Sequence, residues 1–81
     1  MTEKENEKMD GPANFKRAYL RLKLLEAPIV KEAIMKRCWW SSQTFSHKKD
    51  GKRGLTLKET EIVEITFRAF GLDAWTGEDV L

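Results

Sequence analysis

The stretch Trp40-Ser41-Ser42-Gln43-Thr44-Phe45-Ser46-His47-Lys48-Lys49-Asp50-Gly51 decides how this chain is read. Ser41 is a residue type that caps helix N-termini, because its hydroxyl can accept an otherwise unpaired backbone N–H. A polar run with one apolar anchor, Phe45, follows it, and Gly51 supplies the stop. Trp40 precedes the cap and Phe45 takes the fourth helical position, the spacing of a hydrophobic staple. The pattern predicts a helix over 42–49. Isolated helices shorter than ~12–15 residues are marginal in water, so Phe45 must pin this one to a core. Ser42, Gln43, Ser46, His47 and Lys49 are then left facing outward.

Upstream, Pro28 sits where a first helical residue belongs, since its missing N–H would be unpaired there anyway. A helix from there to about Arg37 or Cys38 would bury Val30, Ala33, Ile34 and Cys38. Lys36 and Arg37 would complement the negative end of its dipole. Trp39-Trp40 then forms a tight connection. Further upstream, Asn14 is a cap for a helix from Phe15 to about Leu25, with Phe15, Ala18, Tyr19, Leu22 and Leu25 at helical spacing.

Downstream, Thr56-Leu57-Lys58-Glu59 reads as a capping box opening a helix to about Phe70. Leu57, Ile62, Ile65, Phe67 and Phe70 are its expected buried residues. The β-branched Ile62, Val63, Ile65 and Thr66 would also suit a strand, but the box and the length favour helix. Gly71 and Leu72 fit a Schellman ending. The remainder, Asp73 to Leu81, is expected to pack through Trp75 and to turn near Thr76. Residues 1–13 are polar, punctuated by Asp10-Gly11-Pro12, and read as a flexible N-terminal arm. The expected fold class is all-α: a compact four- to five-helix bundle, with 14–81 as one helical domain.

Eighty-one residues leave room for one small core, and 41% hydrophobic with 35% charged residues is a globular balance. One cysteine, Cys38, permits no internal disulfide and points to a reducing compartment. No apolar run reaches the ~18 residues that span a bilayer, and the polar N-terminus does not read as a signal peptide. A cytoplasmic protein without membrane partners is expected. Charge is unevenly placed. Residues 11–53 hold eleven Lys/Arg against three acids, a net +8, whereas residues 54–81 carry −4 and residues 1–10 carry −2. So basic a middle is a footprint for a polyanion, although lysine-rich solvated faces are common in small helical proteins.

The segment from about Val30 to Gly51 resembles the helix-turn-helix of the Cro and lambda-repressor-like DNA-binding domains. That family ends its first helix in a glycine-hydrophobe-Ser/Thr turn, places a branched or aromatic anchor four residues later, and closes with glycine. Trp40-Ser41, Phe45-Ser46 and Gly51 stand at those places, within a unit of about 28–49. Trp39 replaces the turn glycine and Lys48 an apolar position. Those departures imply a wider turn and a shallower anchor. The resemblance also extends to short regulators of phage and mobile elements.

The resemblance implies a sequence-specific DNA-binding protein, a transcriptional regulator that lays the 42–49 helix in the major groove of double-stranded DNA. Ser42, Gln43, Ser46, His47 and Lys49 are the expected base contacts. Gln43 and His47 share a face, and glutamine can bond adenine through two hydrogen bonds. Ser41, Lys31, Lys36, Arg37, Lys48, Lys52 and Arg53 are the expected phosphate contacts, which position a protein without reading sequence. One such module spans few base pairs, so a homodimer on a two-fold site is expected. Ile62/Val63 and Trp75 to Leu81 are where its contact would lie.

One histidine and one cysteine cannot supply the ligands of a zinc site. No phosphate-binding glycine loop or nucleophile–base pair is visible, so no enzyme, cofactor or small-molecule substrate is expected. The alternative is a small helical adaptor or inhibitor binding another protein through Trp39, Trp75 and Val80-Leu81. It would show a contiguous apolar patch, whereas a DNA reader keeps large apolar groups off the outer face of its 42–49 helix.

Overall fold

The computed structural model describes residues 14–80, so the arm expected over 1–13 and the terminal Leu81 lie outside the described residues. The fold is all-α, and the described residues form four helices: α1 (Lys16–Arg21), α2 (Ala27–Cys38), α3 (Ser42–Lys49) and α4 (Leu57–Arg68). Its core is centred on Phe15, whose ring stacks on Trp40 and meets Phe45 and Phe67 at centroid distances of 6.5, 5.5 and 5.9 Å. Val30 and Ile34 of α2 and Val63 and Phe67 of α4 close around it, all fully buried. Aromatic rings are the main means by which so short a chain removes apolar area from water.

The first helix stops earlier than its spacing predicts. Arg21 is its last residue and Leu22 is extended, with ψ 146°. The Leu22 amide still bonds the Tyr19 carbonyl at 3.2 Å, and the chain restarts as α2 at Ala27, with Pro28 in its first turn, where a missing N–H leaves no donor unpaired. The new start is stabilised by Glu26, whose carboxylate accepts the Lys23 amide at 3.0 Å. Leu22 stays in the core, but Leu25, expected on the buried stripe, is thrown outside with Leu24. Asn14 still serves as a cap, accepting the Lys16 amide at 3.3 Å.

The turn between α2 and α3 keeps to three residues, Trp39 to Ser41, and is not widened. Trp39 takes the left-handed conformation itself, φ 60° and ψ 40°. The Trp40 amide then donates back to the Met35 carbonyl at 3.0 Å, the bond that closes a Schellman ending. Holding a side chain other than glycine there costs about 1–2 kcal/mol. The turn thus stays tight at an energetic penalty, with the indole outside.

Thr56 and Glu59 form the predicted capping box, through Glu59 N–H to Thr56 Oγ1 at 3.1 Å and Thr56 N–H to Glu59 Oε1 at 3.0 Å. Two expected core residues of α4 are exposed. Leu57 is the first residue of the helix, and Ile65 stands two residues from both Val63 and Phe67, hence on the opposite side. The predicted ending holds: Gly71 has φ 78° and the Leu72 amide reaches the Phe67 carbonyl at 3.1 Å. Beyond it, Asp73 Oδ1 accepts the amides of Trp75 and Thr76 at 2.8 and 2.9 Å, making a tight turn. Leu72 pairs with Asp79 in an isolated antiparallel bridge. Gly77, at φ 79°, lets that turn approach the α1 backbone, since a Cβ would stand 3.2 Å from the Arg17 carbonyl. Arg21 fastens the contact through the Gly77 carbonyl at 2.6 Å.

Among the described residues no helix is long and apolar enough to cross a membrane.

Candidate nucleic-acid interface

Helix α3 is held at three points. At its start the Ser41 hydroxyl accepts the Thr44 amide at 3.1 Å. In its middle Phe45 is 1% exposed, beneath Trp40 at 6.4 Å and edge-on to Tyr19 at 5.6 Å. The anchor is therefore deep, not shallow as the Lys48 departure implied.

Lys48 supplies the third point, and this corrects its expected role as a phosphate contact. It is buried, because Phe45 and Lys48 lie three residues apart on the same face. Its ammonium donates to the Gly54 carbonyl at 2.8 Å and to Glu59 Oε1 at 2.9 Å, and sits 5.4 Å over the Trp40 ring. Glu59 Oε2 also accepts the Trp40 indole N–H at 2.9 Å. Burial opposes ionisation of Glu59, but the hydrogen bonds from Thr56, Trp40 and Lys48 outweigh it and hold its carboxyl below the usual range. Lysine here occupies an inward position by folding its charge onto an internal carboxylate.

The outward face of α3 carries Ser42 and Gln43, both exposed, and Ser46 and His47, both half-buried. No large apolar side chain interrupts it. Lys49, expected among the base contacts, departs from that face. Its ammonium lies 5.4 Å over the Tyr19 ring and 3.1 Å from Asp50, with only 18% of the side chain exposed.

The expected phosphate contacts divide. Lys31 shares a shallow pocket with Ser42, so it stands by the start of α3, its ammonium 5.7 Å from the Phe45 ring centroid. Ser41 is exposed but uses its hydroxyl as the cap. Lys52 and Arg53 are exposed in the loop that leaves the other end of α3. Two members are not brought to this face. Lys36 lies five residues from Lys31, about 140° around α2. Arg37 instead lines a groove between α2 and α4.

A missed neighbour is Lys16. The Asp50 carboxyl is held below its usual range first by its hydrogen bond from Lys49 and then by the charges of Lys49, Lys16 and Lys52. The contact between Gly51 and Asn14 brings the start of α1 beside the end of α3. Lys16 thus joins the cations there, thirty-odd residues away in sequence, and no local pattern signals it.

Among the described residues no three His, Cys, Asp or Glu side chains come together as metal ligands. Cys38 is half-buried, and burial followed by the Glu59 charge pushes its thiol up, away from the reactive thiolate. The site can offer hydroxyl, amide and imidazole hydrogen bonds on a rigid helix between cations. Compared with known proteins, the chain matches no family model, no curated protein and no solved structure.

Proposed function

We propose that α2 and α3 act as a DNA-binding helix-turn-helix, and that the protein is a sequence-specific DNA-binding regulator of transcription working in the cytoplasm. The observation that carries this reading is the α3 surface. Gln43 stands exposed in the first turn of α3, on a polar face, and the other side of the helix is fixed by Phe45. A base reader must be rigid, hydrophilic and flanked by cations, and this helix is all three. Gln43 would make the principal base contact, with Ser42, Ser46 and His47 beside it. Lys31 at one end, and Lys52, Arg53 and Lys16 at the other, would hold phosphates.

The same reading favours a homodimer on a two-fold site. Val63, one of the residues expected at such a contact, is fully buried and is removed from it. Ile65, two residues further along α4, and Val80, within the expected C-terminal segment, are exposed and are the better candidates. Selection of a preferred duplex from a randomised pool, followed by titration of the selected and scrambled duplexes at several salt concentrations, tests the reading. Preference for one sequence with steep salt dependence supports it. Binding that is absent, or indifferent to sequence, overturns it.

A further inference from the structure

Trp39 is the only described residue other than glycine with positive φ, and it is 93% exposed. Glycine would hold that turn without strain, and the indole returns almost no packing to its own chain. Beside it runs a groove of about 280 Å³ between the end of α2 and the start of α4. Cys38 and Ile62, both half-buried, give it an apolar floor, and Arg37 and Lys58 stand exposed at its edges. Neither cation pairs with a carboxylate among the described residues. The one acid in the wall, Glu59, already accepts hydrogen bonds from Trp40, Lys48 and Thr56. Among the described residues the groove thus has an apolar floor, Thr56 and Glu59 in its wall, and a rim whose two cations have no carboxylate partner.

We propose that this groove docks an acidic peptide segment of a partner protein, one that inserts a single large apolar side chain beside Trp39 while its carboxylates meet Arg37 and Lys58. Charge complementarity selects the acidic partner. A groove of this volume has room for one large apolar side chain. A single-stranded nucleic acid is the poorer fit, because it needs successive aromatic platforms along a cationic track, and here one ring stands between two cations. Exposed tryptophan and arginine are also the side chains that most often dominate protein contacts. The groove opens between α2 and α4, whereas Ser42 and Lys31 share a separate pocket. The inference accordingly stands apart from DNA binding.

Displayed random peptides selected on the full chain, with counter-selection on Trp39→Gly, test it. Glycine suits the left-handed turn, so the variant keeps its fold, which circular dichroism verifies. The expected winners carry Asp or Glu around one Leu, Phe or Trp, and lose affinity on the order of tenfold or more in Trp39→Gly and in Arg37→Glu/Lys58→Glu. The proposal is overturned if no peptide discriminates against Trp39→Gly. It is equally overturned if the winners are basic or uncharged, or if an oligothymidylate displaces them while failing to bind Trp39→Gly.

Discussion

Lys48 Nζ lies 2.9 Å from Glu59 Oε1, and that ion pair ties the end of α3 to the first turn of α4. Glu59 at once closes the α4 capping box, holds the Trp40 indole and neutralises a lysine with 10% of its side chain exposed. The orientation of α3 therefore depends on a carboxylate eleven residues further along the chain.

Lys48→Met should destabilise the fold by about 1–3 kcal/mol, because it leaves a partly buried carboxylate short of a partner. At ~4–8 °C per kcal/mol for a domain of this size, the loss is readable in a thermal melt. Lys48→Met/Glu59→Gln should recover much of it, since no charge is then stranded. A single variant as stable as the parent would remove the pair from the account.

Acid should loosen the same joint. Glu59, Asp50 and Asp73 all have folded pKa values lowered from the ordinary range: Glu59 by hydrogen bonds that overcome its burial, Asp50 chiefly by Lys49, and Asp73 chiefly by the Thr76 and Trp75 amides. A lowered carboxyl stabilises the fold above its unfolded value and ceases to do so as pH falls through its folded value. Melting temperature should thus be level near neutrality and fall below about pH 4. Glu59→Gln should start lower and show a shallower acid limb. An unchanged limb in that variant would mean that Glu59 is not held as described.

Trp39→Gly should raise stability by about 1 kcal/mol, the left-handed penalty less the extra freedom of glycine in the unfolded chain. Trp39→Ala retains the strain and should gain nothing. Equal melts for the two variants would show that the turn conformation is not strained.

Charge variants separate the two sides of the molecule. Arg53→Ala should weaken all DNA sequences alike and lower the salt slope by about 1. Lys36→Ala, on the far side of α2, should leave the slope alone. The reverse order, measured by titration across a salt series, would place the phosphate track on the wrong surface.

The features legible in the sequence were those set by residues within a turn of one another. Ser41 with Thr44, Trp40 with Phe45, Thr56 with Glu59, and Gly71 with Leu72 are all local pairings, and each stands where the spacing predicts it. Several of the errors lie where a group distant in sequence decided. Lys48 turns inward because Gly54 and Glu59 fold back to meet it. Lys49 leaves the outer face because Tyr19 and Asp50 hold it. Leu25 leaves the stripe because the chain turns extended at Leu22 and restarts as α2 only at Ala27. Ile65, expected in the core, is exposed, and its two-residue spacing from both Val63 and Phe67 already argues for the outer side. Lys16 became a neighbour of Asp50 only through tertiary contact.

The central claim is that the outward face of α3 reads bases through Gln43, and base preference in Gln43→Ala tests it most directly. With a duplex selected by the parent chain, the variant should lose ~1–3 kcal/mol of discrimination at one base position while its salt slope stays the same. Discrimination that survives intact while binding persists would contradict the account.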